Sequence, residues 1–365
     1  MRDISSDLLN AQNYGQYILV GTSRHYTRIP YVQLVFHSES GSGAEDYSNR
    51  FMGIEHHVEH LGNDYATIQL NNYDHKVKDV VGWWIEPVYG DCFFNTSKAI
   101  IGHEGHAMPR LWVKYQTDVS YPGKKMVVLE LEDKKLAEKP CITDDLNPLA
   151  PYHYAELTGF TPFWMITHLL NHAGFGMQVL EQDDGFINSF IPQKFRINED
   201  LDDDYESFKD VIERLLAFTK CYLRKIVDTG GGPAEYKVIF PQESDPINET
   251  YYSYQQPQFS EFAYREKVVI PNYILTYCNY TYIEGEDGNW DNLIIGEAQD
   301  QDSIDRYGEV MMPVWRKEAI NQDEANFLAS AYLDRYKIAS KGGRVIVPLD
   351  MRVELFDKVQ VYDTR

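Results

Sequence analysis

Hydrophobic and polar positions alternate in short runs through the first third of the chain. YILVG (17–21), YVQLVF (31–36), DYATIQL (64–70), RLWVKYQTDV (110–119) and KKMVVLELED (124–133) are each bounded by Gly, Asn, Asp or Pro. They read as strands. Val127, Leu129 and Leu131 share one face against Val128, Glu130 and Glu132, and Ala66, Ile68 and Leu70 share another. SESGSGAEDYSN (38–49) reads as a loop. The period then changes. Thr161 before Pro162 has the form of an N-cap and a first-turn proline. Phe163, Ile166, Leu169, Leu170 and Ala173 make a helical stripe that Gly174 ends. A second helix is expected from near Asp203, with Glu206 as its capping partner. Its stripe is Phe208, Val211, Ile212, Leu215, Leu216, Thr219 and Leu223, and both helices should pack on a small sheet.

Residues 243–260 are polar and tyrosine-rich and read as a loop, and 266–285 return to strands. Asn321 with Glu324 caps a further helix, whose face is Ala325, Leu328, Ala331 or Tyr332, and Arg335 or Tyr336. Gly342-Gly343 stops it. Val345, Val347, Leu349, Met351, Val353 and Leu355 then alternate against Arg344, Asp350, Arg352 and Glu354. That pattern predicts either a strand with one dry face or a hairpin bent near Phe356-Asp357. On the strand reading, Val347, Leu349 and Val353 are buried, and Arg352→Ser is nearly neutral.

The chain has 365 residues, 43% apolar and 14% aromatic. At about 150 residues per domain it is long enough for two or three, with no need of disulfides or metals. The 27 tyrosines favour pleated, half-buried surfaces. The net charge of −22 argues against a protein that grips nucleic acid, because gripping needs a basic face that displaces counterions. Cys92, Cys141, Cys221 and Cys278 are scattered and read as reduced, packed thiols. The N-terminus lacks the basic start and apolar run of a signal peptide, and nothing reaches the roughly 18 apolar residues of a membrane span. Synthesis and folding in a cytoplasm follow as the expectation.

Candidate chemistry is sparse. His56, Glu59 and His60 fit the HxxEH zinc pattern, but the stretch lacks a helix cap and alternates as a strand. His103 and His106 flank a glycine and read as a turn with solvated histidines, although the two clusters together make a conceivable four-ligand site. EQDDG (181–185) and NEDLDDDYE (198–206) miss calcium-loop spacing, and the second reads as acidic charge before a helix N-terminus. TGGGPAEY (229–236) lacks the Lys-Ser/Thr ending of a phosphate loop. His168 and His172 lie one turn apart on a polar helix face.

One segment is strongly structured yet poor in chemistry. DQDSIDRYG (300–308), about a dozen extended residues, EANFLASAYLDRY (324–336) and a closing run ending DKVQVYD (357–363) follow in order. This order resembles the C-terminal part of bacteriophage tail hub proteins, a group that includes baseplate hubs and the structural part of tail-tip (minor tail) proteins. Upstream, YATIQLNNYDHK, KKMVVLELEDKKLAEKP, FWMITHLLNHAGF, the run from Glu206 to Phe240, and VVIPNYILTY also resemble that group.

The resemblance implies an α+β, mainly β chain: two tube-protein-like β-barrels plus a smaller helix-containing α/β portion. Its divisions would be residues 1–140, 141–290 and 291–365, namely a first barrel, a middle domain with two helices on a small sheet, and a helix and strands closing the second barrel. It further implies a structural virion protein of the tail tip or baseplate, not an enzyme, with no cofactor; the attached cell-wall hydrolase common in related tail proteins is not expected in this chain. Such a hub is a homotrimeric ring between the hexameric tail tube and the tip. Its partners are other copies of itself, the tail tube or distal tail ring, the tape-measure protein, and tip or fibre proteins. DNA passes through the lumen without tight binding, and there is no stable membrane insertion. Ser303, Ile304, Tyr307, Gly308, Val347, Leu349 and Val353 would be barrel-wall or interface positions. The alternative is a zinc-dependent hydrolase built on His56, Glu59 and His60.

Overall fold

The computed structural model describes residues 16–20, 23–27, 30–39, 43–61, 63–94, 100–133, 141, 155–157, 159–193, 195–197, 206–226, 234–255, 257–266, 268–282 and 290–365. The fold is α+β and mainly β, with four α-helices among the described residues. NEDLDDDY (198–205) and TGGGP (229–233) lie outside them.

The alternating runs of the first third pair into a seven-stranded antiparallel sheet. Its order is Ala44–Asp46, Val35–His37, Trp84–Ile85, Leu111–Tyr121, Lys124–Glu132, Tyr65–Asn71, Phe51–His57. Leu131 stands opposite Ala66, Leu129 opposite Ile68 and Val127 opposite Leu70. All six are buried, so the period-two pattern does set the register. They form one core with Leu34, Phe36, Ile85 and Leu111. The expected loop at 38–49 contains the short edge strand Ala44–Asp46.

A three-stranded sheet, Ile100–Ala107, Val88–Phe94 and Pro30–Gln33, adjoins it. The expected turn at His103–His106 is therefore part of a strand. Gly105 does not break it, because it faces Gly90 across the ladder. A Cβ on Gly90 would lie 1.8 Å from the Glu104 carbonyl oxygen, so the two backbones approach as only glycine allows.

The middle of the chain holds helices α1 (Pro162–Ala173) and α2 (Phe208–Leu216) over a sheet of Gly176–Met177, Glu235–Ile239 and Tyr222–Ile226. Thr161 caps α1 by accepting the Trp164 N–H, and Gly174 ends it at φ 89°. The cap of α2 is Ser207 with Asp210, not the acidic run before it, and the helix stops at Leu216. Thr219 and Leu223 are still buried, Leu223 within the strand Tyr222–Ile226.

The remaining helices are α3 (Gln301–Tyr307) and α4 (Gln322–Ser340). α4 starts at Asn321, which accepts the Glu324 N–H as expected. It packs on a sheet of Ile294–Gln299, Tyr273–Cys278 and Met311–Arg316 through Ile274, Val314, Ala329 and Leu333. Contact is close: a Cβ on Gly296 would lie 2.2 Å from the Ala325 carbonyl carbon, and Thr276 donates to the Ala325 carbonyl at 2.8 Å.

The glycine pair after α4 does not end the order. It lies inside the strand Lys341–Ile346, which pairs with Glu261–Glu266. The long strand expected through residue 355 stops at Ile346, and a final strand Val359–Tyr362 pairs in parallel with Glu249–Tyr252. The latter lies in the run read as loop.

Candidate functional site

Two features stand out: the outer face of the C-terminal sheet, and the joint between the seven-stranded sheet and the middle portion. The first is set by period-two residues. Tyr277 stands opposite Ile295 on one side and Trp315 on the other, and Leu275 stands opposite Glu297 and Pro313. These positions point away from α4, whose side takes Ile274 and Val314. Tyr277 stacks on Trp315 at 4.4 Å, with Tyr280 against the edge of that pair. Ile295, Met311 and Trp315 remain about half exposed, at 45%, 51% and 43%. Among the described residues neither outer strand of this sheet has a further strand beside it, and α4 partly covers one edge, where Asn326 accepts the Glu297 N–H and Gln322 donates to the Ile295 carbonyl.

Ser303, Ile304, Tyr307 and Gly308 sit at one end of this sheet. Asp300 caps α3 by accepting the Ser303 N–H, and the buried Ser303 hydroxyl donates to the Val269 carbonyl. Gly308 closes α3 at φ 94° and accepts from the Asn272 amide. The run 300–308 is thus a short capped helix. Ile304 is half-buried and Tyr307 is exposed. An open polar groove of about 460 Å³ runs beside Ser303, lined by Asp300, Arg306, Lys337 and Lys341 among others.

Residues 347–358 form a loop held by charge rather than a strand held by a ladder. Arg352 pairs with Asp350 and Glu249, and Arg224 pairs with Glu354 and Asp357 at 3.2 and 2.9 Å. The Arg352 and Glu354 side chains are only 11% and 16% exposed, whereas Leu349 is 47% exposed. Val347 and Val353 are intermediate. The expected dry and wet faces are therefore not realised, because the ion pairs draw the charged side chains inward.

The joint is polar and buried. Lys225, on the strand Tyr222–Ile226, forms an ion pair with fully buried Asp133 and donates to the Arg110 carbonyl at 2.8 Å. Its ammonium also lies over the Trp112 and Phe175 rings. Asp64 accepts the Glu59 N–H, and burial raises its carboxyl to about 6. Tyr236 is fully buried nearby, and burial holds its hydroxyl protonated. Lys209 donates to Asn63 at 2.7 Å.

The histidine clusters do not converge. His56 lies on the strand Phe51–His57 and hydrogen-bonds the Tyr89 hydroxyl at 2.9 Å. His60 accepts the Leu223 N–H at 3.2 Å and meets the touching pair of Tyr222 and Phe356 edge-on. Burial lowers both imidazoles to about 4. His103 stacks on Tyr31, and His106 lies beside Glu104. The zinc reading fails on geometry, since His56 and His60 face different partners and not a common centre. Among the described residues no three His, Cys, Asp or Glu side chains are grouped to hold a metal. On α1, His172 meets the edge of His168, which stacks on Trp164. Asp183 and Asp184 accept backbone N–H groups of their own turn. All four cysteines are free, and burial raises the Cys278 thiol to about 11. No helix among the described residues is long and apolar enough to cross a membrane.

The sheet face and the Lys225–Asp133 pair were not identified from sequence. Alternation at Met311, Pro313 and Trp315 could have marked the first. Lone charges far apart in sequence carry no pattern for the second.

This is the fold of a tail protein. The chain is similar to the tail protein from Neisseria meningitidis MC58, with a TM-score of 0.55 at 11% identity, over 92% of this chain and 86% of that one. The 43 kDa tail protein of prophage MuSo2 from Shewanella oneidensis aligns at a TM-score of 0.45 and 9% identity, over 85% and 78%. A chain of the Francisella PdpA–VgrG complex aligns at 0.39 and 10%, over 81% and 44%. No protein-family model and no curated protein sequence matches.

Proposed function

We propose that the chain is a structural tail protein, a baseplate or tail-tip hub that forms a homotrimeric ring between the hexameric tail tube and the tip. The observation that carries this reading is the fold match to the Neisseria tail protein across nearly the whole of both chains. The sequence order of the tail-hub group supports the finer part. Two tube-like barrels per chain, divided at residues 1–140, 141–290 and 291–365, give the ring pseudo-sixfold symmetry. The apolar outer face of the C-terminal sheet is suited to contacts between copies, since closing a ring buries surface that would otherwise aggregate. In this reading Ser303, Ile304 and Gly308 brace the end of the C-terminal sheet from α3, and Tyr307, Val347, Leu349 and Val353 are contact positions. The tube or distal tail ring, the tape-measure protein and the tip or fibre proteins are the other partners. No catalysis is needed for this role, and DNA passes without being gripped.

Imaging of assembled tails tests it. Three copies in a closed ring around the tail axis are expected. A monomer, or a decoration on the tail's outside, would overturn the assignment. The measurement belongs on tails, because isolated chains at low concentration dissociate by mass action.

A further inference from the structure

We infer that His60 is an acid-sensitive latch that joins the first β portion to the middle portion only while its imidazole is neutral. Among the described residues the strand Tyr222–Ile226 is the outer strand of its sheet, and the Leu223 N–H has no neighbouring strand to bond. It donates instead to His60 Nε2, across 163 residues of sequence. A backbone N–H can only donate, so Nε2 must carry a lone pair and the ring proton sits on Nδ1. Protonation turns the acceptor into a second donor pointed at a donor. The contact then changes from attraction to repulsion, and the Leu223 N–H is left buried without a partner.

The surroundings make this a switch rather than a weak point. The ring packs edge-on against Tyr222 and Phe356, which also touch each other, so a change of its charge acts inside the packed joint. The charges facing it are mainly positive. Arg335 of α4 and Lys209 of α2 both disfavour an imidazolium. Arg335 also donates to the Leu216 and Thr219 carbonyls, which fixes its position. On the strand itself, Arg224 is matched by Glu354 and Asp357, and Lys225 by Asp133. Glu59 and Asp64 are the acids of the segment that carries His60, and Asp64 accepts the Glu59 N–H. No carboxylate is hydrogen-bonded to His60 to stabilise its charged form among the described contacts.

Hydrogen exchange of the full chain, followed by mass spectrometry and corrected for intrinsic rates, provides the test. Wild type, His60→Gln and His57→Gln are compared at pH 7 and pH 4.5. Glutamine retains an acceptor but does not titrate, and His57, with its side chain 40% exposed and no contact across the joint in its hydrogen bond to Glu55, is the control. In wild type, peptides spanning residues 220–226 should lose protection on the order of 50-fold at pH 4.5, while α1 keeps its own. His57→Gln should behave as wild type, and His60→Gln should hold protection within about threefold. Three results would each overturn the latch: His60→Gln opening as wild type does, wild type staying closed, or α1 opening together with residues 220–226.

Discussion

At the scale of single residues, the titrating groups of the joint set opposite pH dependences. His56 and His60 titrate near 4 in the folded chain and near 6.5 when unfolded. Between those values the unfolded state takes the protons, so stability falls as pH drops from 6.5 toward 4. Asp64 titrates near 6 folded and 3.8 unfolded. In that window the folded state holds the extra proton, so this group adds stability as pH falls. Each shift is worth about 3 kcal/mol at full extent, and two histidines outweigh one carboxyl. Acidification from pH 7 to 4.5 should therefore lower the urea midpoint. Asp64→Asn should make the loss steeper, because the one compensating group is gone. Equal slopes for the variant and wild type would show that Asp64 titrates normally.

At the scale of elements, the run 341–358 reverses an expectation. Strict alternation makes Arg352→Ser look neutral, as for a wet face. Arg352 is instead nearly buried between Asp350 and Glu249. Removing it leaves two carboxylates without their cation, a loss of about 3 kcal/mol or more. Chemical denaturation should place Arg352→Ser well below wild type, and a change under about 0.5 kcal/mol, the range of a free surface position, would disprove the buried pairing. What was legible in sequence follows the same division. α1 and α4 announce themselves through Thr161-Pro162 and Asn321, because a cap acts on its own turn. α2 begins later than read, since the acidic run before it supplies several cap-like residues while Ser207 with Asp210 forms the cap. The strand with His103 and His106 was hidden because a lone glycine resembles a turn, and only the facing Gly90 explains it. Long-range ion pairs, which decide 347–358 and the joint, leave no local trace.

At the scale of the whole molecule, the order of elements was legible enough to suggest the tail-hub group, while the expected closed barrels are not seen among the described strands, which form separate open sheets. Charge gives the prediction proper to this scale. A basic wall would hold a passing duplex, whereas a net charge of −22 suits a lumen that repels phosphate. In an assembled ring, Asp and Glu should outnumber Lys and Arg within side-chain reach of the axis. A neutral or basic lumen would sink that idea and leave the hub assignment standing.

The half-exposed face of Tyr277, Ile295 and Trp315 also bears on timing. Chains with 22 net negative charges approach one another slowly in dilute salt, so this wet apolar surface is tolerable while copies are rare. Counterions shorten that repulsion to about 8 Å at physiological ionic strength, and the apolar attraction then acts unopposed at close range. If copies of this chain do associate through that face, nucleation becomes a matter of ionic atmosphere and local crowding, set by the chain's own charge.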